Sequence, residues 1–251
     1  ENARIKIQKH FNVKNSYEII LTSGTTHSIN LVANGFLEIL NENDEIIISG
    51  LEHHSNIVPW QMMAEKNGAK IKVIPINEKG ELDMKVYDSI LSNKTKLVFV
   101  NHVSNALGTV NPIKEIIEKA HKFGAAVLVD GAQASAHFKT DLQKLNVDFY
   151  TTSAHKLCGP TGIGILFGKE KWLKKMPPYQ GGGEMISDVT FEKTTYADLP
   201  HKFEAGTPNV CGAIAFGVAL DYLNSIGFKE IESYENSLLK YATDKLKSIP
   251  D

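Results

Sequence analysis

One lysine of this sequence lies in a setting that is unusual for its residue type. Lys156 stands in the segment "TSAHKLCGPTGIGILFG" (152–168), among small and apolar residues, whereas most lysines of globular proteins lie on solvated surfaces. A lysine amine in such a setting can act as a nucleophile toward an aldehyde. Its chemistry therefore depends on which polar side chains the fold brings close to it.

A carboxylate with a matching role is Asp130, which ends the apolar run of "VLVDGAQ" (127–133). We expect it at the end of a buried strand, where a carboxylate is costly without a cation or hydrogen-bond donors. A helix cap or a loop hydrogen bond would satisfy it, and so would the protonated ring nitrogen of a cofactor. A Schiff-base lysine with a carboxylate for a pyridinium nitrogen is what a pyridoxal phosphate enzyme needs. Lys156 and Asp130 together predict that cofactor.

A phosphate group also requires donors, and "TSGTT" (22–26) offers them where a predicted strand turns into a helix. Backbone N–H groups at a helix N-terminus, with the hydroxyls of Thr25 and Thr26, can bind a dianion. The same residue types also make ordinary helix caps. Ser153 and His155 lie beside the lysine in sequence and add further donors.

Two adjacent histidines, His53 and His54, occur in "LEHHSNIVPW" (51–60). A histidine and glutamate cluster can bind a metal, but no third and fourth ligand follow at a recognisable spacing, so we predict no metal site. A flat imidazole that stacks on a pyridine ring and transfers protons agrees better with the other candidates.

Positioning these side chains is the task of the fold, and strand-like segments alternate with helical ones along the chain. This alternation predicts an α/β fold with a mainly parallel central sheet and helices on both faces. The ligand crevice of such a sheet lies beyond the carboxyl ends of its strands, where the candidates fall together with Asn105 and Gln133. From about 211 to 251 we expect helices alone. The predicted strands are 18–24, 44–50, 70–76, 96–105, 125–133, 147–156 and 162–168, and the helices between them include 25–40, 55–68 and 112–123.

Composition narrows the class of protein. The 251 residues are 42% hydrophobic and 22% charged, as in a globular protein of one large domain. A net charge of −2 argues against a protein that binds nucleic acid through its backbone. The longest apolar run, 213–220, is too short for a bilayer, which takes roughly 20 residues, and no export leader is visible. Hence we expect no membrane partner.

The two cysteines, Cys158 and Cys211, stand alone and form no CxxC pair. Unpaired cysteines of this kind are typical of a reducing compartment, which predicts a cytoplasmic location. We expect each of the two to be a small buried hydrophobic residue.

Seven segments extend these observations over nearly the whole chain. In this order they resemble the class V aminotransferase-like branch of the fold-type I pyridoxal phosphate enzymes and, more narrowly, cysteine desulfurases of the SufS type. The resemblance implies that residues 1–251 are the cofactor-binding large domain, trimmed at both ends and without the small C-terminal domain. The segments are "SGTTHSINLVA", "EHHSNIVPWQ", "NHVSNALGTVNPI", "VLVDGAQ", "SAHKLCGPTGIGIL", "MPPYQGGGEMI" and "FEAGTPN".

The resemblance also implies a role for each matching residue. Lys156 forms the Schiff base with pyridoxal phosphate, Asp130 pairs with the pyridine nitrogen, and His53 stacks on the ring. Gln133 bonds the phenolic oxygen of the ring, and Asn105 lies near the amino-acid end of the substrate. The residues that hold the phosphate are Thr25, Ser153 and His155, with Thr207 reaching the phosphate of the neighbouring subunit.

The activity implied by the resemblance is the conversion of L-cysteine to L-alanine by a homodimer. Sulfur passes to a cysteine of the enzyme as a persulfide, then to an acceptor protein for iron–sulfur cluster assembly. The family's nucleophilic cysteine and its substrate-carboxylate arginine lie beyond the last residue of this chain, and we assign neither Cys158 nor Cys211 that role. Selenocysteine lyase activity stays open. So does a catalytically incomplete domain that only binds cofactor or dimerises. A dinucleotide-binding oxidoreductase is disfavoured, because no GxGxxG follows the first strand.

Overall fold

A computed structural model describes residues 1–249 of the chain. Its centre is one seven-stranded sheet, in which the strand order is β1-β7-β6-β5-β4-β2-β3 when strands are numbered along the chain. Every predicted strand is present. Their bounds are β1 (Ile19–Thr22), β2 (Glu45–Ser49), β3 (Lys70–Ile74), β4 (Thr95–Asn101), β5 (Ala126–Asp130), β6 (Phe149–Ser153) and β7 (Gly164–Gly168).

Six of these strands run in one direction, and β7 runs antiparallel to its neighbours β6 and β1. The prediction of a mainly parallel sheet is therefore confirmed. The register pairs Asn101 of β4 with Asp130 of β5, and Asp130 with Thr151 of β6. The carboxyl ends of these three strands thus lie at one edge of the sheet.

Helices cover both faces of the sheet, as the alternating pattern predicted. A separate hairpin is formed by β8 (Ile186–Val189) and β9 (Thr194–Tyr196). The helices are α1 (Asn2–Phe11), α2 (Thr25–Leu37), α3 (Val58–Asn67), α4 (Met84–Ile90), α5 (Ile113–Lys122), α6 (Leu142–Leu145), α7 (Glu170–Lys175), α8 (Val210–Ile226) and α9 (Phe228–Leu246).

Two apolar cores result, one on each face. Along β2, Ile46 and Ile48 belong to the core that includes Val32 of α2, while Ile47 belongs to the core that includes Ile116 of α5. Successive side chains of a strand point to opposite faces. A strand that is buried on both faces therefore reads as a continuous apolar run rather than an alternating one.

The strand ends are shorter than the sequence predicted. Strand β4 ends at Asn101 instead of residue 105, and β6 ends at Ser153 instead of 156. Residues Ala154–Lys156 form a 3-10 turn instead. Helices α1, α4, α6 and α7 and the hairpin have no counterpart among the predicted ranges. The hairpin exposes Val189 and Tyr196, so it lacks the buried face that gives a strand its alternating pattern.

The C-terminal part of the described chain is helical, as predicted from residue 211 onward. Residues 250–251, which the prediction included, lie outside the described residues. Helix α9 contributes no buried side chain to the described structure. None of the helices by itself has the length and apolarity to cross a bilayer within residues 1–249. The pair α8 and α9, bent by 75°, meets that criterion when the two are counted together.

Candidate active site

A cavity of about 270 Å³ opens at the carboxyl edge of β4, β5 and β6. Eleven of its thirteen lining residues have polar side chains, and nine of the ten residues predicted for the site line it. These nine are Thr25, Thr26, His53, Asn105, Asp130, Gln133, Ser153, His155 and Lys156. Sequence segments that are far apart are thus brought to one place by the ends of neighbouring strands, the location expected for a ligand in this class of sheet.

Lys156 reaches the cavity from the turn that follows β6. The turn is held by the N–H of Ala154, which donates to the Ile163 carbonyl (3.0 Å), and by the N–H of Leu157, which donates to the Ala154 carbonyl (2.8 Å). Ala154 and Leu157 are fully buried, whereas Lys156 is exposed. The apolar neighbours in sequence therefore anchor the turn beneath the lysine and do not enclose its amine, in contrast to the expectation of a pocket formed by them.

Asp130 is the last residue of β5 and is 5% exposed. The N–H of Ala132 donates to its Oδ1 (2.9 Å), which is the single side-chain hydrogen bond of this carboxyl among residues 1–249. Burial raises the pKa of Asp130, and the Ala132 N–H and the charges of Lys156 and His53 offset that rise in part. The second carboxylate oxygen thus remains available to a ligand in the cavity.

The turn after Asp130 has room for glycine alone. A Cβ on Gly131 would lie 1.9 Å from the ring of Tyr150, far inside contact distance. Tyr150 is fully buried and its hydroxyl lies 3.0 Å from the Ser135 hydroxyl. Close packing beneath the strand end thus fixes where the Asp130 carboxyl emerges.

A cradle of donors lies where β1 leads into α2. Ser153 Oγ accepts the Thr25 N–H (2.9 Å) and lies 3.0 Å from the Thr25 hydroxyl. Gly24, which precedes the helix, has φ of +146°, and a Cβ there would approach Ser153 Oγ to 3.1 Å. Hydroxyls and free N–H groups at the start of a 13-residue helix are suited to a phosphate dianion.

His53 has a defined tautomer. Its Nδ1 accepts the backbone N–H of Ser55 (3.2 Å) and lies 2.8 Å from the Ser55 hydroxyl. Because Nδ1 is an acceptor, the neutral ring carries its proton on Nε2. His54 follows at a ring distance of 5.9 Å but does not line the cavity.

Thr207, the tenth predicted residue, lies apart from the other nine. It is exposed and lines a neighbouring pocket with Ser23, His27 and Gly162. Its loop is held by the Gly206 N–H, which donates to the Gly183 carbonyl (2.9 Å). The structure therefore does not join Thr207 to the cavity of its own chain, and its predicted role toward a second subunit stays a prediction.

Both cysteines are exposed, so the prediction that they are buried is wrong. Cys158 has φ of 59°, a turn conformation, and Cys211 lies in the first turn of α8. Neither one lines the cavity. The apolar residues that suggested burial serve the neighbouring turn and the inner face of α8 instead.

Four residues of the cavity wall were not predicted. Ser55 and Asn101 carry polar groups, and Val103 and Ala132 contribute backbone and apolar surface. Asn101 ends the apolar run "KLVFVN", the same signal that identified Asp130. Ser55 offers no signal in sequence, because its importance depends on the ring of His53.

Comparison with known proteins agrees with this geometry. The family model described as aminotransferase class-V matches residues 1–251. A cysteine desulfurase of Enterobacter sp. (strain 638) is 49% identical over 100% of this chain, and a probable cysteine desulfurase of Halalkalibacterium halodurans is 48% identical over 99%. The chain spans 62% of the length of each of these relatives.

Solved structures show the same fold. Cysteine desulfurase CsdA of Escherichia coli, in an S-sulfonic acid form, superposes with a TM-score of 0.96 at 40% identity, over 99% of this chain and 62% of that one. A C-DES mutant with glycine covalently linked to its PLP cofactor superposes with a TM-score of 0.88 at 26% identity, over 99% of this chain and 66% of that one.

Proposed function

Because this chain belongs to the aminotransferase class-V family, we propose that residues 1–251 form the cofactor-binding large domain of a cysteine desulfurase of the SufS type. The cofactor is pyridoxal phosphate. The observation that carries the proposal is that Lys156, Asp130 and the Thr25–Ser153 cradle line one cavity. Relatives named cysteine desulfurase with 48–49% identity support the same reading.

The residues present fit this cofactor at three points. Asp130 keeps an oxygen free for a protonated ring nitrogen, since its side-chain hydrogen bond within residues 1–249 engages Oδ1 alone. Thr25, Ser153 and the start of α2 offer donors for the phosphate. Gln133 lines the same wall, where we assign it to the phenolic oxygen.

Bound pyridoxal phosphate supplies an electron sink for a carbanion at the substrate Cα. The chain's own groups do the remaining work. Lys156 Nζ would hold the cofactor at its aldehyde group and would serve as the base for the substrate Cα proton. Asp130 would stabilise a proton on the ring nitrogen. The Nε2–H of His53, fixed by the Ser55 contact to Nδ1, is a proton donor at the cavity rim.

The proposed substrate is L-cysteine and the proposed product is L-alanine. A protein thiolate attacks the substrate sulfur, so that an S–S bond forms as the C–S bond breaks, and the persulfide passes to an acceptor protein for iron–sulfur cluster assembly. Neither Cys158 nor Cys211 lines the cavity, so we assign the thiolate to neither of them.

Two further proposals concern assembly and location. We propose a homodimer, in which the exposed Thr207 contributes to the phosphate site of the second subunit. Sedimentation of the full-length protein at micromolar concentration checks this, and a monomer with full cofactor occupancy would contradict it. We also propose a cytoplasmic location, since exposed thiols such as Cys158 and Cys211 stay reduced there.

The cofactor assignment is tested by reduction with borohydride after addition of pyridoxal phosphate, followed by peptide mapping. We expect the label on Lys156. Lys139 and Lys169 are internal controls, because burial lowers the pKa of both amines although neither lines the cavity. A label on either one instead of Lys156 would overturn the assignment.

The reaction is tested by alanine formed per mole of bound cofactor, with L-cysteine and L-selenocysteine compared in the full-length protein. For residues 1–251 alone there is a second candidate, a domain that binds cofactor or dimerises without turnover. The absence of both cysteines from the cavity wall favours it for that fragment. We expect the fragment to show a weak spectral change with L-cysteine but almost no alanine, and comparable turnover in both proteins would contradict this.

A further inference from the structure

A buried carboxyl lies directly behind the His53 turn. Glu52 Oε1 accepts the backbone N–H of Asn101 (2.8 Å) at the end of β4, and also the hydroxyl of Ser49 at the end of β2. Its Oε2 accepts the side-chain amide of Asn56, a residue with no exposed surface. Glu52 does not line the cavity itself. Its three contacts connect the end of β2, the turn after His53 and the end of β4, and His53 and Asn101 line the cavity.

The partners of Glu52 are themselves fixed. Asn56 Oδ1 accepts the indole N–H of Trp60 (3.0 Å), and the Trp60 ring stacks on Phe99 of β4. Asn101 stands opposite Asp130 in the sheet register. One carboxyl therefore joins the 53–56 turn to the strand end beside the proposed ring-nitrogen partner.

The carboxyl is held there at a cost. The pKa of Glu52 is raised to about 8: burial is the largest cause, the hydrogen bonds from Ser49, Asn56 and Asn101 offset part of the rise, and the nearby charge of Asp130 adds to it. A buried carboxyl is expensive unless donors satisfy it. Three donors from three segments indicate that this position has a purpose beyond filling space.

We propose that Glu52 is a positioning residue that acts through His53, fixing the 53–56 turn to the ends of β2 and β4 and so setting the imidazole at the cavity rim. This inference rests on the proposed function, because the consequence concerns the cofactor that His53 contacts. The link from Glu52 to the ring orientation of His53 is a property of the protein alone, however, and is measurable without cofactor.

A matched control lies on β2, the strand whose last residue, Ser49, contacts Glu52. Glu45, at the opposite end of β2, is 8% exposed and its carboxyl contacts Lys72 Nζ (2.8 Å) and the Ser92 hydroxyl (2.6 Å). Both carboxyls are thus tied into the sheet at β2, but Glu45 is remote from the carboxyl edge. Glu45→Gln therefore shows what the loss of a buried carboxyl far from the cavity does by itself.

The experiment uses full-length protein with Glu52→Ala, Glu52→Gln and Glu45→Gln. The first readout is histidine nitrogen NMR without cofactor, in which His53 of the unaltered protein shows the Nε2–H tautomer. The second is the dissociation constant of pyridoxal phosphate from its visible absorbance. Glutamine retains acceptors for Ser49 and Asn101 but presents an amide to that of Asn56, so Glu52→Gln is the conservative variant.

We expect both tautomers of His53 to be populated in Glu52→Ala. Cofactor binding should be about tenfold weaker, because the hydrogen bonds that hold the 53–56 turn are lost. Glu52→Gln should restore most of both, and Glu45→Gln should change neither. Unchanged His53 signals and unchanged affinity in both Glu52 variants would overturn the inference while leaving the proposed function intact. Failure of the unaltered protein to bind pyridoxal phosphate would instead overturn the proposed function, and the NMR result would still decide whether Glu52 orients His53.

Discussion

Two buried aspartates at opposite ends of neighbouring strands have opposite electrostatic environments. Asp148, just before β6, is 1% exposed and accepts hydrogen bonds from His121 Nε2 (2.7 Å), the Val127 N–H (3.0 Å) and Trp172 Nε1 (3.0 Å). Lys169 Nζ lies 3.2 Å away. Asp130, at the far end of β5, is 5% exposed and has the Ala132 N–H as its one side-chain hydrogen bond among the described residues.

The pKa values follow from these partners. Burial by itself would raise the pKa of Asp148, but the His121 hydrogen bond and the charges of Lys169 and His121 lower it to about 2. At Asp130 burial prevails and the pKa is raised. Two buried carboxyls thus differ in how far the protein satisfies them: Asp148 has donors at both oxygens, whereas one oxygen of Asp130 has no hydrogen-bond partner among residues 1–249. A polar group that a fold leaves unsatisfied in a cavity is a mark of a functional site.

The largest effect is expected from Asp130→Asn. The amide retains an acceptor for the Ala132 N–H but cannot stabilise a protonated ring nitrogen, so alanine formation by the full-length protein should fall about 10³-fold, at the upper end of losses for one electrostatic group. Stability should stay the same or rise, because an unpaired buried charge is removed. Enzyme assays and urea unfolding at pH 7 give the two numbers. Undiminished turnover, or a large loss of stability, would break the comparison with Asp148.

Asp148→Asn is the converse variant. It leaves Lys169 and His121 without their carboxylate, and removal of one partner from a buried pair costs about 3 kcal/mol. Pyridoxal phosphate affinity should not change, because Asp148 lies at the other end of the sheet from the cavity. Urea unfolding and an absorbance titration check the two expectations. A weaker cofactor complex with intact stability would show that the two ends of the sheet are not independent.

The sequence was sufficient for much of the fold because burial on both faces leaves a direct trace. Runs such as "EIIIS" and "AVLVD" form strands with no exposed residue. Short elements with few buried residues were not predicted. Helix α4 has seven residues, and its start depends on Asp83, which accepts the N–H groups of Lys85 and Val86; such a short element shows too few turns for helical periodicity.

The site was predictable to the extent that its residues end strands. Asp130 ends β5, whereas Asn105 ends the predicted strand 96–105 but lies four residues beyond the observed end of β4; the cavity contains both. Glu52 enters the sequence analysis only as the glutamate beside His53 and His54, because its three donors come from residues 49, 56 and 101. A contact between such distant positions has no period or spacing, so only the fold reveals it. The exposure of Cys158 was missed for a related reason, since its turn conformation is set by neighbouring hydrogen bonds.

A smaller effect is expected in how stability depends on pH, because Asp148 and Glu52, at opposite ends of the sheet, have pKa values shifted in opposite directions. The lowered pKa of Asp148 contributes stability that is present above about 3.8 and lost as pH falls through about 2, roughly 2 kcal/mol at most. The raised pKa of Glu52 acts in the other direction, since its ionisation destabilises the fold as pH rises from 4.5 through about 8. The free energy of unfolding, measured by urea unfolding between pH 2 and 9, should therefore no longer fall between pH 3.8 and 2 in Asp148→Asn. In Glu52→Gln it should no longer fall between pH 4.5 and 8. If the free energy of unfolding of either variant kept the same dependence on pH, other titrating groups would account for it.

The smallest effect is expected from substitutions that touch the surroundings of neither Asp130 nor Asp148. Cys158 lies two residues after Lys156 in sequence, yet it is exposed and outside the cavity wall, as is Cys211. Serine at either position should therefore change the free energy of unfolding by less than about 0.5 kcal/mol, and cofactor absorbance and alanine formation should be unaltered. Both thiols should react with a water-soluble disulfide reagent in the folded protein. If Cys158→Ser lowered alanine formation while Cys211→Ser did not, the thiol beside the lysine would reach the reacting sulfur, and the assignment of the nucleophile to neither cysteine would be wrong.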